Sequence, residues 1–239
     1  MLQPKALAVV NEVRKAILGK DAVVCKVLMA ILARGHILLE DNPGVGKTTL
    51  ALAFSKAMGL DYNRVQFTPE VMPADVVGFS VWDRATGNFS YRPGAVLCNL
   101  FLADEINRTS AKTQSALLEA MEEGQVTVDN ISRPLPQPFT VIATQNPVGS
   151  AGTQLLPESQ LDRFMMRLSI GYPTLDQEVQ ILKQTEAPGP WTVCVRWPPW
   201  RTWYRCSRKQ PGPCGRRHLP LCGQPVRRTR EHPLIRLGA

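Results

Sequence analysis

Apolar residues recur every three or four positions through residues 5–18 and 20–34, and a glycine follows each of these segments. This spacing predicts two helices. The apolar run "HILLE", residues 36–40, predicts a short strand. The segment "KTTLALAFSKAMG", residues 47–59, has the alanine and leucine content and the terminal glycine of a helix. This order of elements predicts an α/β fold.

Two longer apolar runs predict further strands. Residues 95–103 lead directly into Asp104 and Glu105, and "PFTVIATQNP" ends in Gln145, Asn146 and a proline. Nearly continuous apolar runs are typical of parallel strands that are buried on both faces. Because ligand sites of open parallel sheets lie at the carboxyl ends of the strands, we expect Asp104, Glu105 and Asn146 to lie close together. Alternating residues in segments 78–94 and 124–135 predict two β-hairpins, the second around Asp129-Asn130.

The turn between the first strand and the helix that follows predicts a phosphate-binding loop. Its sequence, "DNPGVGKT", matches the pattern G-x-x-x-x-G-K-S/T except at Asp41, which stands where the pattern has glycine. Because aspartate tolerates unusual turn conformations, we expect a functional loop with weakened binding. In such a loop, backbone N–H groups and the helix dipole surround phosphates. The predicted nucleotide-binding residues are Asn42, Pro43, Gly44, Val45, Gly46, Lys47, Thr48 and Thr49.

Within this loop, Lys47 is expected to reach the β- and γ-phosphates of ATP, and the Thr48 hydroxyl to bind Mg²⁺. Asp104 is expected to hold the same Mg²⁺ through water, Glu105 to polarise the attacking water, and Asn146 to orient that water. Each of these three signals has an alternative interpretation. The loop could be a glycine-rich turn without a ligand, Asp104 and Glu105 could be two solvated acids at the end of a strand, and Asn146-Pro147 could be an ordinary turn. For the loop and the acids we prefer the ATP site, because the two signals occur together, with the acids about 57 residues after the loop lysine. Taken by itself, the Asn146 signal favours the ordinary turn.

Composition predicts one globular domain of ordinary size, with 44% hydrophobic residues in a chain of 239. The first residues lack a basic-then-apolar signal pattern, and no apolar run is long enough to span a membrane, so a cytoplasmic location is expected. Six unevenly spaced cysteines are typical of reduced thiols rather than of a disulfide framework.

The net charge of +8 is concentrated at one end of the chain. Residues 1–184 contain 17 Lys and Arg against 18 Asp and Glu, whereas residues 185–239 contain 11 against 2. This basic tail (residues 185–239) also holds four of the five Trp and four of the six Cys, and its prolines break any helical or strand pattern. A Zn²⁺ site of Cys206, Cys214, His218 and Cys222 is disfavoured, because no C-x-x-C pair is present. Nucleic-acid binding by this tail is also disfavoured.

The segments "LLEDNPGVGKT", "VQFTPEVMPADVVG", "FLADEINRTSAKTQSALLEAMEEGQVT", "FTVIATQNP" and "LLPESQLDRFMM" resemble the MoxR-type AAA+ ATPases, over about residues 17–183. The resemblance implies a P-loop NTPase core with a mainly parallel sheet, flanking helices and β-hairpin inserts. Walker A would include Lys47 and Thr48, and Walker B Asp104 and Glu105. Sensor 1 would be Asn146, and Arg163 would act as an arginine finger on the ATP of a neighbouring subunit. The alternative for Arg163 is a surface arginine paired with Asp162 or Glu158.

The resemblance also implies that the subunits form a ring, most simply a hexamer. Such a ring uses ATP to remodel or mature a client protein, often together with a protein that bears a von Willebrand factor A domain. The hairpin aromatics Phe79, Trp82, Phe89 and Tyr91 would contact the client or pack across the hairpin, and we prefer packing. The alternatives are a non-hydrolysing nucleotide-binding assembly subunit, which Glu105 argues against, and a DNA-acting AAA+ motor, which the near-neutral core argues against.

The sequence predicts two regions, an AAA+ nucleotide-binding core at residues 1–184 and the basic tail in place of the family's helical lid. The composition of residues 185 to about 228 is what a GC-rich gene yields in a wrong reading frame, and "REHPLIRLGA" after it again resembles the lid. We therefore expect an incomplete lid and impaired ATP hydrolysis. A genuine variant tail is the alternative.

Overall fold

The protein is described by a computed structural model that covers residues 4–84, 87–146 and 156–185, with side chains up to residue 181. The helices and strands of the amino-terminal half are α1 Pro4–Ala16, α2 Asp21–Leu32, β1 Ile37–Glu40, α3 Lys47–Met58, β2 Tyr62–Gln66, α4 Pro73–Val77, β3 Gly78–Asp83 and β4 Asn88–Pro93. They are followed by β5 Leu100–Asp104, a 3-10 turn Ile106–Arg108, α5 Ala111–Glu123, β6 Gln125–Val128, β7 Ile131–Pro134, β8 Thr140–Gln145, α6 Glu158–Leu161, β9 Met166–Leu168 and α7 Leu175–Thr185.

Five strands form one sheet in the order β2-β5-β8-β1-β9, and every neighbouring pair is parallel. The parallel α/β architecture predicted from the sequence is therefore confirmed. In the register, Glu40 of β1 lies opposite Gln145 of β8, and Gln66 of β2 lies opposite Asp104 of β5. The carboxyl ends of these strands consequently meet at one edge of the sheet.

Alternation along the strands builds one hydrophobic core on each face of the sheet. Ile37 and Leu39 of β1 pack with α1, α2 and α3, whereas Leu38 packs on the opposite face with residues of α5. In β5, Leu102 faces the first cluster and Phe101 faces the second. Because both faces are covered, the central strands β1, β5 and β8 are buried and largely apolar, which is why their sequences show runs rather than alternation. The edge strand β2 differs, since Asn63, Arg64 and Gln66 are exposed.

The apolar run at residues 95–103 is only partly a strand, since β5 begins at Leu100. Residues 95–99 instead form a turn held against α4, where the Ala95 N–H donates to the Asp75 carbonyl and the Val96 N–H to the Val76 carbonyl, both at 3.0 Å. Val96 is fully buried, so its apolar character serves packing against α4. Hydrophobicity alone does not separate a buried turn from a buried strand.

Both predicted hairpins are confirmed. β6 and β7 pair across the two-residue turn Asp129-Asn130, in which both residues have positive φ values, +54° and +60°. In the β3–β4 hairpin, Trp82 and Phe89 make an edge-to-face contact at 5.0 Å. The Tyr91 hydroxyl donates to the Val77 carbonyl at 2.5 Å. Packing across the hairpin is therefore observed for Trp82 and Phe89, whereas Tyr91 contacts α4. Trp82, Phe89 and Phe79 are 52%, 71% and 47% exposed, and contact of these rings with a client stays a prediction.

The expectations for the basic tail lie outside the described residues, including the frame-change hypothesis and the Zn²⁺ site at Cys206, Cys214, His218 and Cys222. The division into a core and a tail stays a prediction. Among the residues that the structure covers, no helix combines the length and the apolar character needed to cross a membrane.

Candidate functional site

The P-loop (residues 41–48) connects β1 to α3, whose first residue is Lys47. Gly44 and Gly46 have φ values of +83° and +92°, in the left-handed region where a side chain is strained. The space over Gly44 is open, since a Cβ there would meet nothing within 4 Å. The first N–H groups of α3 have no partner within the helix, so this end of α3 is suited to bind an anion.

Lys47 is buried, with 8% of its surface exposed. Its Nζ donates to the Asp41 carbonyl at 2.6 Å and to Asn146 Oδ1 at 3.3 Å. Burial lowers the pKa of Lys47, and the carboxylates of Asp104, Asp41 and Glu105 offset part of that lowering. The ammonium group is therefore positioned by the carbonyl and the amide, and it lies within the field of three acids.

Asp104 is the last residue of β5, and its two carboxylate oxygens have different partners. Oδ1 accepts a hydrogen bond from Thr144 Oγ1 at 2.6 Å, and Oδ2 lies 2.7 Å from Nη2 of Arg64. Thr144 also accepts the Glu105 N–H at 2.9 Å. This threonine of β8 therefore fixes both acids at the tip of the neighbouring strand.

Glu105 follows the strand in a left-handed conformation, with φ +55° and ψ +48°. A non-glycine residue in this conformation costs about 1–3 kcal/mol, which surrounding contacts must offset. Asn146 Nδ2 donates to Glu105 Oε1 at 3.0 Å, and Arg108 Nη1 donates to Oε2 at 2.7 Å. Since Asn146 also accepts from Lys47, its amide joins the loop lysine to the second acid.

These side chains surround a polar cavity of about 410 Å³ beside the P-loop. Its lining residues are Pro43, Gly44, Gly46, Lys47, Thr48, Thr49, Arg64, Gln66, Asp104, Glu105 and Asn146. The structure thus brings together the predicted residues from Walker A, Walker B and sensor 1. A hydroxyl, two carboxylates and an amide oxygen form a hard oxygen donor set, which is the chemistry that Mg²⁺ prefers.

A second, mainly apolar cavity of about 330 Å³ adjoins the first and shares Gly44, Gly46 and Thr49 with it. Its other lining residues are Ala16, Ile17, Leu18, Lys20, Val45, Ile170, Gly171, Pro173, Glu178 and Ile181. The two cavities therefore meet across the P-loop. Their combination suits a ligand with a charged phosphate end and a flat apolar end.

Arg163, predicted as an arginine finger, lies between α6 and β9 and does not line the polar cavity. Its guanidinium contacts Glu122 Oε2 of α5 at 2.8 Å, and Nη1 donates to the Ser159 carbonyl at 3.0 Å. The alternative surface pairing with Asp162 or Glu158 is not observed, because Glu122 takes that place.

Four features of the site were missed by sequence reasoning. Arg64 lies on β2 directly before the segment "VQFTPEVMPADVVG", at a position outside every quoted motif, and Arg108 pairs with Glu105 inside the segment "DEINR". Thr144 is a polar residue within an otherwise apolar strand, which is a signal that the sequence does contain. Asp41 was judged only by its conformation, yet its carboxylate accepts hydrogen bonds from Ser169, Ile170 and Gly171.

A five-stranded parallel sheet with a glycine-rich loop before α3 and two acids at the tip of β5 defines the P-loop NTPase class. Residues 36–166 match the family described as "ATPase family associated with various cellular activities (AAA)". The chain belongs to this family, as a MoxR-type AAA+ ATPase.

Relatives agree with this assignment. The chain is 51% identical over 189 residues to the uncharacterized protein YeaC of Bacillus subtilis, covering 79% of this chain and 59% of that protein. It is 43% identical over 171 residues to the chaperone MoxR1 of Mycobacterium tuberculosis, covering 72% of this chain and 45% of the chaperone. A solved structure from Cytophaga hutchinsonii is 43% identical, with a TM-score of 0.70, over 77% of this chain and 56% of that one. The chain thus spans about half the length of these relatives.

Proposed function

We propose that this chain binds ATP with Mg²⁺ in the polar cavity and hydrolyses it. The observation that carries the proposal is the convergence of Lys47, Asp104, Glu105 and Asn146 on one cavity beside the P-loop. Lys47 begins α3, Asp104 and Glu105 lie at the end of β5, and Asn146 follows β8 directly, so their convergence requires the fold and not only the motif. A cation, two acids and an amide are the groups that phosphoryl transfer to water requires.

The proposed ligand lies across both cavities. The triphosphate is bound by the P-loop backbone and Lys47, where the ammonium compensates negative charge that burial would otherwise penalise. The adenine occupies the apolar cavity, against Ile17, Ile170 and Pro173. Thr48 and Asp104 would hold Mg²⁺, which supplies charge neutralisation for the β- and γ-phosphates.

Glu105 is the proposed general base for the attacking water, and Asn146 is proposed to orient that water. The hydrogen bonds from Asn146 and Arg108 fix both carboxylate oxygens of Glu105, which limits its movement before the reaction. A positioned carboxylate of this kind accelerates proton transfer by about 10²- to 10⁴-fold. Arg163, supplied by a neighbouring subunit, is proposed to stabilise charge on the γ-phosphate during transfer.

For the whole protein we propose a cytoplasmic ring, taken as a hexamer, that uses ATP hydrolysis to remodel or mature a client protein, with a von Willebrand factor A domain protein as a candidate partner. The name of the chaperone MoxR1 supports a client-directed role. Residues 1–184 contain nearly equal numbers of basic and acidic residues, several of which form ion pairs with one another, and this balance favours a protein client over nucleic acid.

We further propose that the basic tail impairs hydrolysis, because its prolines disfavour the helices of a lid. A lid excludes water from the reacting phosphate, so its loss lowers turnover more than binding. The test replaces residues 185–239 with the helical lid of a relative and compares steady-state ATPase rates. Comparable rates would show that the tail does not impair the enzyme.

The ATP site itself is tested by calorimetry on Lys47→Ala. We expect the affinity for ATP to fall at least about 100-fold, because the variant removes the charge that faces the phosphates. Lys112→Ala is the matched control, since Lys112 is exposed on α5 and outside both cavities. Unchanged affinity in Lys47→Ala would refute the site. ATP binding without turnover would favour the non-hydrolysing assembly subunit, and turnover that requires DNA would favour the DNA motor.

A further inference from the structure

Asp41 makes hydrogen bonds on two sides of the P-loop. Its carbonyl oxygen accepts from Lys47 Nζ at 2.6 Å, so the backbone of Asp41 contacts the lysine of the proposed phosphate site. Its carboxylate points the other way: Oδ1 accepts from Ser169 Oγ at 2.9 Å and from the Gly171 N–H at 3.2 Å, and Oδ2 accepts from the Ile170 N–H. The residue is 7% exposed.

Two of the three partners of this carboxylate line the apolar cavity. Ile170 and Gly171 follow β9 and form part of the cavity lining, and the chain then continues into α7, which supplies further lining residues. Two backbone N–H groups and one hydroxyl bonded to one buried carboxylate fix the position of this segment relative to β1. Glycine, the residue of the usual loop pattern, has no side chain to accept these bonds.

The conformation of the loop does not account for the aspartate. Within the described ranges, the non-glycine residues with positive φ are Arg34, Glu105, Asp129 and Asn130, so Asp41 needs no left-handed conformation. Its backbone also continues the strand pairing, since its N–H donates to the Gln145 carbonyl at 3.4 Å. What distinguishes Asp41 from glycine here is the set of hydrogen bonds to residues 169–171.

We propose that Asp41 is a positioning residue that couples the two halves of the nucleotide site: it holds the segment 169–171 in the place where that segment contacts the base, while its carbonyl positions the phosphate-binding lysine. This inference rests on the proposed ATP site. It reverses the expectation from the loop pattern, because replacing Asp41 by glycine weakens nucleotide binding instead of improving it.

If Asp41 couples the two cavities, its replacement should affect the binding of two ligands differently. ATP uses both cavities, whereas inorganic tripolyphosphate uses only the phosphate part. Loss of the Asp41 carboxylate leaves the glycines, Lys47 and the start of α3 in place, so binding of tripolyphosphate is retained. Without the Asp41 carboxylate, residues 169–171 are no longer fixed beside the proposed adenine site. The affinity for ATP therefore falls more than the affinity for tripolyphosphate.

The experiment measures dissociation constants for ATP and tripolyphosphate by calorimetry on the full chain. For Asp41→Gly we expect the ATP constant to rise about tenfold and the tripolyphosphate constant to change less than about twofold. Asp41→Asn, which keeps the size and part of the acceptor capacity, should lie between the parent and Asp41→Gly. Glu40→Gln is the matched control: Glu40 binds Arg167 of β9 and Gln145 but does not line either cavity, so both constants should stay at parental values.

The outcomes separate this inference from the proposed function. If the parent binds neither ligand, or Lys47→Ala binds both as the parent does, the ATP site is wrong and the role of Asp41 falls with it. If the parent binds ATP and Lys47→Ala does not, equal or tighter ATP binding by Asp41→Gly overturns the role of Asp41 alone. A parallel loss of both ligands in Asp41→Gly and Asp41→Asn would likewise overturn it, since that result indicates a general loss of loop structure.

Discussion

The guanidinium of Arg64 lies 2.7 Å from Asp104 Oδ2, so the carboxylate that is proposed to hold Mg²⁺ already has a cation beside it. The Arg64 side chain is 44% exposed, whereas that of Asp104 is 11% exposed. The arginine therefore has room to move while the aspartate stays fixed by Thr144. A divalent cation that binds at Asp104 has to compete with this ion pair.

Arg64→Gln is accordingly expected to lower the Mg²⁺ concentration that gives half-maximal ATPase activity at saturating ATP. Because a partly exposed ion pair contributes up to about 1 kcal/mol, the expected decrease is about two- to fivefold. The measurement is a Mg²⁺ titration of the ATPase rate. Arg92→Gln, an equal change of charge on the exposed hairpin strand β4, should leave the titration unchanged. A higher Mg²⁺ requirement in Arg64→Gln would contradict competition and indicate that Arg64 assists binding.

Glu105→Gln is expected to bind ATP with parental affinity and to hydrolyse it at least about 100-fold more slowly, because the amide does not accept the proton of the attacking water. The amide oxygen still accepts from Asn146, whereas the amide nitrogen cannot accept from Arg108, so one of the two hydrogen bonds that hold this side chain is retained. Calorimetry and phosphate release measure the two properties separately. Asp104→Asn provides the comparison, and there we expect a raised Mg²⁺ requirement. Equal turnover in Glu105→Gln and the parent would show that Glu105 is not the base.

The sequence predicts those parts of the site that belong to local motifs. Lys47 and Thr48 lie in one loop, and Asp104 and Glu105 end one apolar run, so type and spacing identify them. That Asn146 lies beside them follows from the rule that parallel strands end at one edge of the sheet. The sheet confirms this placement, although the roles of these residues stay predictions.

The remaining contacts depend on pairings that no local pattern records. Arg64 reaches Asp104 because β2 pairs with β5 in one particular register, and the Asp41 carboxylate meets residues 169–171 because β9 lies next to β1. Both contacts join residues far apart in sequence. The boundary of β5 was wrong for a related reason, since burial of Val96 arises from α4 and not from the sheet.

His36 supplies a prediction about stability. Its Nδ1 accepts the Val141 N–H at 3.0 Å, so its Nε2 carries the hydrogen and donates to the Met121 carbonyl at 3.1 Å. Burial lowers the pKa of His36 below its ordinary value, and the bond to Met121 opposes this effect. The folded state therefore binds fewer protons than the unfolded state between the folded pKa and about 6.5.

The free energy of unfolding should therefore fall as the pH drops below about 6.5. His36 contributes at most about 1.4 kcal/mol per pH unit to this fall, and its contribution becomes constant below the pKa of His36 in the folded state. Urea unfolding at pH 7.5 and 5.5 measures the change. His36→Gln, which does not titrate, should lose less stability over the same interval than the parent. The other histidines, His218 and His232, lie in the basic tail. An equal loss in His36→Gln and the parent would assign the pH dependence to other groups.

Arg163 has a local partner, Glu122, that accounts for its position without any neighbouring subunit. A structural role and a role in trans therefore predict different results for the two partners of this ion pair. If the pair only joins the segment between α6 and β9 to α5, Glu122→Gln should be as harmful as Arg163→Ala. If Arg163 acts on the ATP of a neighbour, loss of Glu122 leaves the guanidinium available and activity is retained.

We expect Arg163→Ala to bind ATP normally and to lose turnover about 10³-fold or more, as removal of an arginine finger does. The turnover of Glu122→Gln should stay within about threefold of the parent, which is the scale of a surface ion pair.

A mixing experiment then tests action in trans. Arg163→Ala and Glu105→Gln are each inactive alone, but in a head-to-tail ring an equal mixture of the two places an intact Arg163 beside an intact Glu105 at about one interface in four. The mixture should therefore recover activity in the ATPase assay. Absence of recovery when the mixed subunits do assemble, or a defect in Glu122→Gln as large as that in Arg163→Ala, would contradict action in trans and assign Arg163 to structure.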